Sequence, residues 1–434
     1  DQEIYAGTAS GGLWRSRSGG QKWVCIFNNE ATLSIGAVKL SQKNTDVIWV
    51  GTGEGNPRNS HNSGKGIYKS IDGGVTWKLM GLEKTRNIHK ILIHPDNENI
   101  VYAAAIGVAW GESEDRGVYK TIDGGETWLK ILYANEITGA ADLVMDPENP
   151  NKLIVAMWEH RRWPWFFNSG GEGSGIHVTH DGGNTWEKRS DKNGLPKGNL
   201  GRIGLAISRS NTKVVYALVE SAKKNALYRS NNGGLNFLKV SENENIGNRP
   251  FYYSDIHVSP ENEDILYSLW TYLSKSKDGG KTWKQILFTN TNSGTADLIM
   301  DPTNPNKLIA AMWEHKREPW FFNSGGEGSG IFITHNGGET WEKRTDKNGL
   351  PKGNLGRIGL AIAKNKPNIV YALIEAKKNA LYKSEDGGFT FKKINDKSDI
   401  GNRPFYYSDI FVDPQNENRV YSVFTYVNVS EDGG

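Results

Sequence analysis

Four acidic residues are candidates for acid–base chemistry. Asp142 and Glu159 recur 155 residues later as Asp297 and Glu314. Hydrolysis of a glycosidic bond uses two carboxyl groups, one of which carries the proton for the leaving group. No spacing in the sequence identifies such a pair, so these four residues are the catalytic candidates if the chain is an enzyme. Further acids in the same segments are Glu54, Glu172 and Glu327.

Aromatic and cationic residues cluster in the segments that carry these acids. The run WEHRRWPWFFNSGGEGSG begins at Trp158, and its copy WEHKREPWFFNSGGEGSG begins at Trp313. Aromatic rings beside arginine and histidine suit stacking on sugar rings, cation–π contacts or the anchoring of a peptide. The alternative, that these rings pack together and hold a long loop, stays open. The candidate binding residues are Trp158, His160, Arg161, Arg162, Trp163, Trp165, Arg202, Arg249, Tyr252, Tyr253, Trp313, His315, Arg317, Trp320, Arg357, Arg403, Tyr406 and Tyr407.

One motif recurs nine times and must form the scaffold for these segments. It is a Ser or Thr, two residues of which the second is usually Asp, two glycines, two further residues and an aromatic, as in SIDGGVTW. Paired glycines permit the positive φ of a tight hairpin, and an Asp side chain accepts backbone N–H bonds within such a turn. A residue repeated at every turn has a structural role. These structural aspartates are Asp72, Asp123, Asp181, Asp278, Asp386 and Asp432.

The repeat predicts an all-β chain. The motifs lie 46 to 58 residues apart, a period typical of one propeller blade. Each period contains four short apolar runs, such as ADLIMDP, KLIAAMW, GIFITH and TWEKR, and no long stripe of helical period. We therefore predict a β-propeller of four-stranded antiparallel blades, about eight to nine in number and 34 strands in all, with the first and last blades incomplete. Because the sequence stops inside a diglycine turn, we expect the native chain to be longer.

The sequence also contains a second, larger repeat. Runs such as FNSGGEGSGI and DKNGLPKGNLGRIGLAI occur twice without change. We predict a single propeller over residues 1–434, or an arc of a larger one. Within it we predict a tandem duplication of three blades, at about 129–283 and 284–434.

The repeated motif resembles the Asp box of bacterial neuraminidase repeats. Asp boxes occur in sialidases, in endoglucanases of the xyloglucanase type, in sortilin-type receptor ectodomains and in photosystem assembly factors. The order YAGTASGGLW, WVGTGEGNPRNS, GVYKTIDGGETW and NRPFYYSDI is closest to bacterial sortilin-like repeat proteins that are often filed as glycosyl hydrolases. The resemblance implies the propeller fold and a secreted or cell-surface bacterial location, and it leaves the activity open.

Composition argues against several other functions. The 52 basic and 49 acidic side chains leave a net charge of only +3, too weak for a nucleic-acid footprint. Cys25 is the single cysteine, so neither a disulfide framework nor a cysteine zinc site is expected. No apolar run is long enough for a transmembrane segment, and no sequence motif indicates a metal or an organic cofactor.

Two functional hypotheses follow. Because duplication of blades multiplies one surface, we favour a non-catalytic extracellular scaffold that binds protein, peptide or glycan through loops on one face. The alternative is a glycoside hydrolase of the Asp-box class, related to xyloglucanases or sialidases. A sialidase is the less favoured of these, since both Arg-Ile pairs, at Arg202 and Arg357, are followed by glycine.

Overall fold

The computed structural model confirms the predicted fold, a multi-blade β-propeller architecture. It describes residues 3–17, 23–59, 61–244, 246–247, 251–252, 255–269, 273–401, 409–423 and 427–434. In these residues 36 strands form nine antiparallel sheets, and four short 3-10 helices lie in the connections. Except in the two five-stranded sheets, the strands of each sheet pair in chain order, as expected for blades built from hairpins.

The first three sheets contain the strands β1 to β11. Their bounds are β1 Ile4–Gly7, β2 Leu13–Ser16, β3 Val24–Cys25, β4 Ile35–Leu40, β5 Ile48–Thr52, β6 Ile67–Ser70, β7 Lys78–Leu79, β8 Ile88–Ile93, β9 Val101–Ala105, β10 Gly117–Thr121 and β11 Leu129–Leu132. The first sheet has three strands, β1 to β3, and the next two have four each.

The fourth to sixth sheets contain the strands β12 to β24. Their bounds are β12 Thr138–Met145, β13 Leu153–Trp163, β14 Phe166–Ser169, β15 Gly175–Thr179, β16 Glu187–Lys188, β17 Leu200–Ile207, β18 Val215–Ser221, β19 Ala226–Ser230, β20 Leu238–Ser241, β21 Asp255–Val258, β22 Leu266–Leu269, β23 Leu273–Ser276 and β24 Lys284–Gln285.

The last three sheets contain the strands β25 to β36. Their bounds are β25 Ser293–Asp301, β26 Asn304–Glu318, β27 Phe321–Ser324, β28 Gly330–Thr334, β29 Glu342–Lys343, β30 Ile358–Ile362, β31 Val370–Ile374, β32 Ala380–Ser384, β33 Lys392–Asn395, β34 Asp409–Asp413, β35 Asn416–Val423 and β36 Val427–Ser430. The 3-10 helices span Glu83–Thr85, Asp191–Asn193, Asp346–Asn348 and Ser398–Ile400.

The chain divides into two compact units. The larger unit comprises Tyr5–Arg15 and Val24–Lys284, and the smaller comprises Asp1–Ile4, Ser16–Trp23 and Gln285–Gly434. The single propeller over residues 1–434 and its tandem duplication stay predictions.

Each unit has one five-stranded sheet, in which an additional strand, β14 or β27, pairs with the second strand of the blade.

These two strands explain why the structure has 36 strands where the sequence predicts 34. The segments after Trp158 and Trp313 were expected to be loops. In each, the second strand of the blade instead runs on beyond its sheet and folds back as a hairpin, with pairs from His160↔Ser169 to Trp163↔Phe166 in the first copy. We name residues 160–169 the first finger and residues 315–324 the second finger.

The Asp boxes that the structure describes close their hairpins with similar hydrogen bonds. In the box of the second sheet the Ser70 hydroxyl donates to Asp72 Oδ1 at 2.7 Å and accepts from the Gly74 N–H at 2.8 Å. The other Asp72 oxygen accepts from the Thr76 hydroxyl at 2.6 Å. Bonds to the Thr76 side chain and backbone, and to Ser70, lower the pKa of Asp72 to about 2. Gly73 and Gly74 have φ of 68° and 85°, which only glycine adopts without strain.

The motif's aromatic residue packs against the preceding sheet, as the sequence predicts. The indole of Trp128 donates to the carbonyl of Met80 at 2.7 Å and lies edge-on to Trp49, with ring centroids 6.0 Å apart. In the box of the fifth sheet Phe237 is fully buried with Ile154 of the fourth. Burial of these side chains supplies the apolar area that joins neighbouring blades.

We predict that Asp72→Asn removes part of the acid sensitivity of the fold. Because the folded-state pKa is depressed, the ionised carboxylate stabilises the fold above an ordinary pKa near 4 and loses that contribution as the pH falls towards 2. Asn keeps the turn, since Asn232 at the same place accepts the Asn236 N–H at 2.9 Å. The stability difference between the wild type and Asp72→Asn, measured by urea unfolding at several pH values, should shrink from pH 5 to pH 2. A constant difference would contradict the prediction.

Candidate functional site

The first strand of each sheet presents one equivalent residue to its neighbours, four positions before the turn that ends the strand. In a propeller these strands line the central channel. The turn is marked by a backbone bond such as Asp146 N–H to the Lys152 carbonyl at 3.0 Å. From the second sheet to the ninth, the residues at this first-strand position are Ala37, Lys90, Asp142, Gly204, Asp255, Asp297, Gly359 and Asp409.

In the larger unit the carboxylate at this position is paired with a lysine. Asp142 Oδ2 accepts the Leu205 N–H of the next sheet at 2.9 Å, and Oδ1 accepts the Leu143 N–H at 2.9 Å. Lys90 Nζ, from the preceding sheet, lies 3.3 Å from Asp142 Oδ1. The charge of Asp142 is the main cause that raises the pKa of Lys90, and Asp255 adds to it. Lys90 therefore neutralises Asp142.

In the smaller unit the equivalent carboxylate has different surroundings. Asp297 Oδ2 accepts the Leu360 N–H at 2.8 Å and Oδ1 accepts the Leu298 N–H at 2.8 Å, as in the first copy. Among the residues that the structure describes, no cation lies within ion-pair distance of it. Burial raises the pKa of Asp297 and the negative charge of Asp409 adds to the rise, whereas the two backbone bonds and the charge of Arg357 act in the opposite direction.

A cavity joins the two carboxylates of the smaller unit. Its volume is about 570 Å³, and Asp297, Leu360, Asp409 and Phe411 are among its lining residues. The sheet between the two aspartates has Gly359 at the first-strand position, so no side chain is interposed there. Asp409 is exposed, whereas Asp297 is half-buried. Burial of this kind favours the neutral form of the Asp297 carboxyl group.

The other two acidic candidates, Glu159 and Glu314, bind the backbone of glycine-rich loops. Glu159 Oε2 accepts the Gly173 N–H at 2.9 Å, and Glu314 Oε2 accepts the Gly328 N–H at 2.8 Å. Asn290 and that backbone bond are the main causes that lower the pKa of Glu314. The Glu314 carboxyl group, which is held ionised in this way, closes a loop and is a poor proton donor.

The predicted binding residues Trp158 and Arg202 belong to a buried hydrogen-bond relay. The Trp158 indole donates to the Ser169 hydroxyl at 3.1 Å, which donates to Glu220 Oε2 at 2.6 Å. The same oxygen accepts the Arg202 N–H at 2.7 Å. The relay recurs through Trp313, Ser324, Glu375 and Arg357, with distances of 3.0, 2.6 and 2.7 Å.

The side chain of Arg202 is buried and binds other residues of the protein. Its guanidinium donates to Asn56 Oδ1 at 3.0 Å and to the Phe251 carbonyl at 2.9 Å, and it lies 3.2 Å from His89 Nε2. It also lies over the Trp158 ring, 5.4 Å from the centroid. Burial and the Arg202 charge lower the pKa of His89. Arg202 therefore holds two loops, at Asn56 and Phe251, against strands β8 and β13.

His160 is likewise internal. Its ring stacks on Trp158 with centroids 4.2 Å apart, and it lies 3.4 Å from the fully buried guanidinium of Arg116. Burial, and then Arg116, lower the pKa of His160. In the second copy His315 stacks on Trp313 at 4.1 Å but is exposed.

The remaining predicted binding residues lie in the fingers or outside the described residues. Arg161, Arg162, Trp163 and Trp165 are in the first finger, and Arg317 and Trp320 are in the second. Tyr252 accepts a bond from Arg162 Nη2 at 3.2 Å. The predicted residues that fall outside the described parts of the chain are Arg249, Tyr253, Arg403, Tyr406 and Tyr407.

Sequence reasoning missed Lys90, Glu220, Glu375 and Asp409. A signal for two of them was present, because aligning the first strands on the turn that follows places Lys90 and Asp409 level with Asp142 and Asp297. Glu220 and Glu375 carried no comparable signal, since their partners are a distant serine and a distant backbone N–H.

Within the described residues, no group of three or more His, Cys, Asp or Glu could hold a metal ion.

The chain is similar to sortilin and to several glycoside hydrolases. The Sortilin-Vps10 family model, described as sortilin, neurotensin receptor 3, matches residues 65–195. The xyloglucanase Xgh74A of Acetivibrio thermocellus is 24% identical over 328 residues, 65% of this chain and 36% of the relative. A sialidase of Bacteroides fragilis is 23% identical over 327 residues, 71% of this chain and 51% of the relative.

A solved structure supports the fold. An ancestral GH74 enzyme superimposes with a TM-score of 0.50 at 15% identity, covering 100% of this chain and 66% of that chain. The chain spans about a third of the xyloglucanase and half of the sialidase. It is thus an Asp-box-type propeller related to sortilin-like and glycosyl hydrolase proteins.

These relatives correct the functional hypothesis favoured by the sequence. The non-catalytic scaffold is wrong as the main interpretation, because the matched relatives are xyloglucanases and a sialidase. The repeated segments also do not present one repeated surface, because the carboxylates of Asp142 and Asp297 have different partners. Of the residues described, no helix is long and apolar enough to cross a bilayer.

We predict that Ser169→Ala and Ser324→Ala destabilise the protein equally. Each removes the hydroxyl that joins an indole N–H to a glutamate, and leaving such buried groups without partners costs about 1–3 kcal/mol. The free energy of unfolding in urea measures the cost, and exposed Ser210→Ala is the control, with a change within about 0.5 kcal/mol. Relay variants indistinguishable from Ser210→Ala would contradict the structural role of the relay.

Proposed function

We propose that this chain is a glycoside hydrolase that cleaves the backbone of xyloglucan-type polysaccharides. In this proposal Asp297 is the proton donor and Asp409 is the second carboxylate. The single observation that carries the proposal is the pairing of a half-buried carboxyl of raised pKa with an exposed carboxylate along one open cavity. Similarity to three xyloglucanases supports the choice of substrate.

Asp297 has the environment that a general acid requires. Burial disfavours its charged form, and the charge of Asp409 acts in the same direction. The two backbone N–H bonds fix the plane of the carboxyl group. They occupy only one lone pair on each oxygen, so the proton can reside on the other and be delivered to a glycosidic oxygen placed in the cavity.

Asp409 supplies the complementary charge. Glycoside hydrolysis passes through a state with positive charge on the sugar ring, which a carboxylate stabilises or attacks, directly or through an activated water. Asp409 is exposed at the start of β34 and lines the same cavity as Asp297. Gly359, between them in the order of sheets, leaves room for a sugar ring.

The first copy supports this assignment by contrast. Asp142 makes the same two backbone bonds as Asp297 but is paired with Lys90 at 3.3 Å. An ammonium group at that distance neutralises the carboxylate of Asp142 and occupies the space beside it. We therefore place the chemistry in the smaller unit and assign Asp142 a structural role.

The proposed substrate implies a cellular location and a binding partner for the protein. A polysaccharide of this kind is too large to enter a cell intact, so its hydrolase acts outside the cell. We accordingly propose a secreted or cell-surface protein whose partner is a glycan chain.

We predict that Asp297→Asn lowers kcat/KM for xyloglucan by about 10²- to 10⁴-fold, the usual contribution of general acid catalysis. Asp142→Asn is the matched control, since it removes the same carboxylate from the first copy, and it should retain activity. Release of reducing ends measures both. An Asp297→Asn protein as active as Asp142→Asn would refute the assignment, and a wild-type chain without activity on xyloglucan would refute the proposed function.

We also predict an alkaline limb in the pH profile of kcat/KM. Activity should fall as the pH rises through the elevated pKa of Asp297, because the proton donor is then lost. In residual Asp297→Asn activity the alkaline limb should be absent. Persistence of that limb would assign it to another group.

A further inference from the structure

The first finger is a rigid hairpin. Strands β13 and β14 pair over four residues, from His160↔Ser169 to Trp163↔Phe166, and a two-residue turn of Pro164 and Trp165 joins them. Proline restricts the turn, and the relay through Ser169 holds the base of the hairpin. Side chains at its tip are therefore presented with little conformational freedom.

One side of the first finger is packed against neighbouring loops. The Arg162 guanidinium donates to the Pro57 carbonyl at 2.8 Å and to Asn59 Oδ1 at 2.9 Å. It also lies 4.4 Å from the Phe167 ring centroid, and the Arg162 N–H donates to the Ala109 carbonyl at 2.8 Å. These contacts fix the orientation of the finger within the larger unit.

The other side presents aromatic rings to solvent. Trp165 is 83% exposed and Trp163 is 37% exposed, and Phe166 lies 6.1 Å from Trp163 with its ring tilted by 31°. We name Trp163, Trp165 and Phe166 the indole platform. So much exposed aromatic surface on a rigid support marks an interaction site.

Arg161 orients the Trp163 ring of this platform. Its guanidinium lies over the Trp163 ring, 5.5 Å from the centroid. Two of its nitrogens, Nε and Nη1, are buried and have no hydrogen-bond partner among the described residues. Buried polar atoms without partners call for an explanation, and the attraction of the guanidinium to the ring face supplies one, since a cation above an indole holds the ring in place.

The second finger lacks this arrangement. Lys316 replaces Arg161 and Glu318 replaces Trp163, and the two form an ion pair at 2.7 Å. Trp320 is 84% exposed at the tip, but the second indole is absent from this finger. The two fingers share a backbone and differ in the side chains that would form a platform, so each is a control for the other.

We propose that the indole platform of the first finger is a glycan-binding site, separate from the carboxylate pair, at which pyranose rings of a neutral glucan stack on Trp163 and Trp165. A pyranose ring presents apolar C–H groups on its faces and hydroxyl groups at its edge, and a flat exposed indole matches such a face. The choice of a glucan as occupant rests on the proposed function. The site would hold the polysaccharide without taking part in bond cleavage.

The test measures binding without hydrolysis. All proteins carry Asp297→Asn and are run through native gels that contain soluble xyloglucan. The parent should be retarded, and Arg161→Lys with Trp163→Glu, which copies the second finger, should weaken the apparent affinity about tenfold, as loss of an aromatic anchor does. Because the second finger already folds with these residues, a folding defect is not expected, and unchanged mobility in gels without polysaccharide verifies this.

A reciprocal variant makes the test sharper. Lys316→Arg with Glu318→Trp rebuilds the platform on the second finger and should increase the retardation. The inference is overturned if the parent is not retarded, or if the first double variant runs like the parent. It is also overturned if that variant alters the sedimentation coefficient rather than the retardation, which would make the finger a protein interface. Failure of wild-type hydrolysis would instead count against the proposed function, since these gels report binding alone.

Discussion

The bond between a first-strand aspartate and the backbone of the next sheet is the interaction on which the proposed site depends. In the smaller unit Asp297 Oδ2 accepts the Leu360 N–H at 2.8 Å, and in the larger unit Asp142 Oδ2 accepts the Leu205 N–H at 2.9 Å. The bond joins neighbouring sheets and brings an ionisable group out of bulk water. Because burial disfavours the charged form, the partners that surround the carboxyl group decide whether it is a structural anion or a proton donor.

The two copies of the blades show how similar backbones acquire different chemistry. Lys90 neutralises Asp142, whereas Asp297 is influenced by the like charge of Asp409. The fingers differ in the same manner, since Arg161 orients Trp163 in one and Lys316 pairs with Glu318 in the other. In each copy the Asp boxes and the relay through serine and glutamate are retained, so the differences lie in side chains that the scaffold carries and not in the scaffold itself.

The sequence predicts the fold well because its signals are local. Paired glycines, a turn aspartate and a packing aromatic lie within eight residues of one another, and the hydrogen bonds of Asp72 remain within that span. The site is harder to predict because its contacts join distant positions, as in the bond from Ser324 to Glu375. Trp158, His160 and Arg202 were selected as binding residues for their chemistry, but they are buried. Trp165, in contrast, is exposed, and the composition of the sequence does not show which of these side chains are exposed.

The ionisation of Asp297 in the folded protein tests the account most directly. Carbon-13 NMR of aspartate-labelled protein, with the Asp297 resonance assigned by its loss in Asp297→Asn, gives the pKa of this carboxyl group. The account predicts a value above the ordinary aspartate pKa of about 3.9, and a fall towards that value in Asp409→Asn, because the neighbouring negative charge is removed. An Asp297 that titrates at or below the ordinary value would contradict the assignment of this residue as the proton donor.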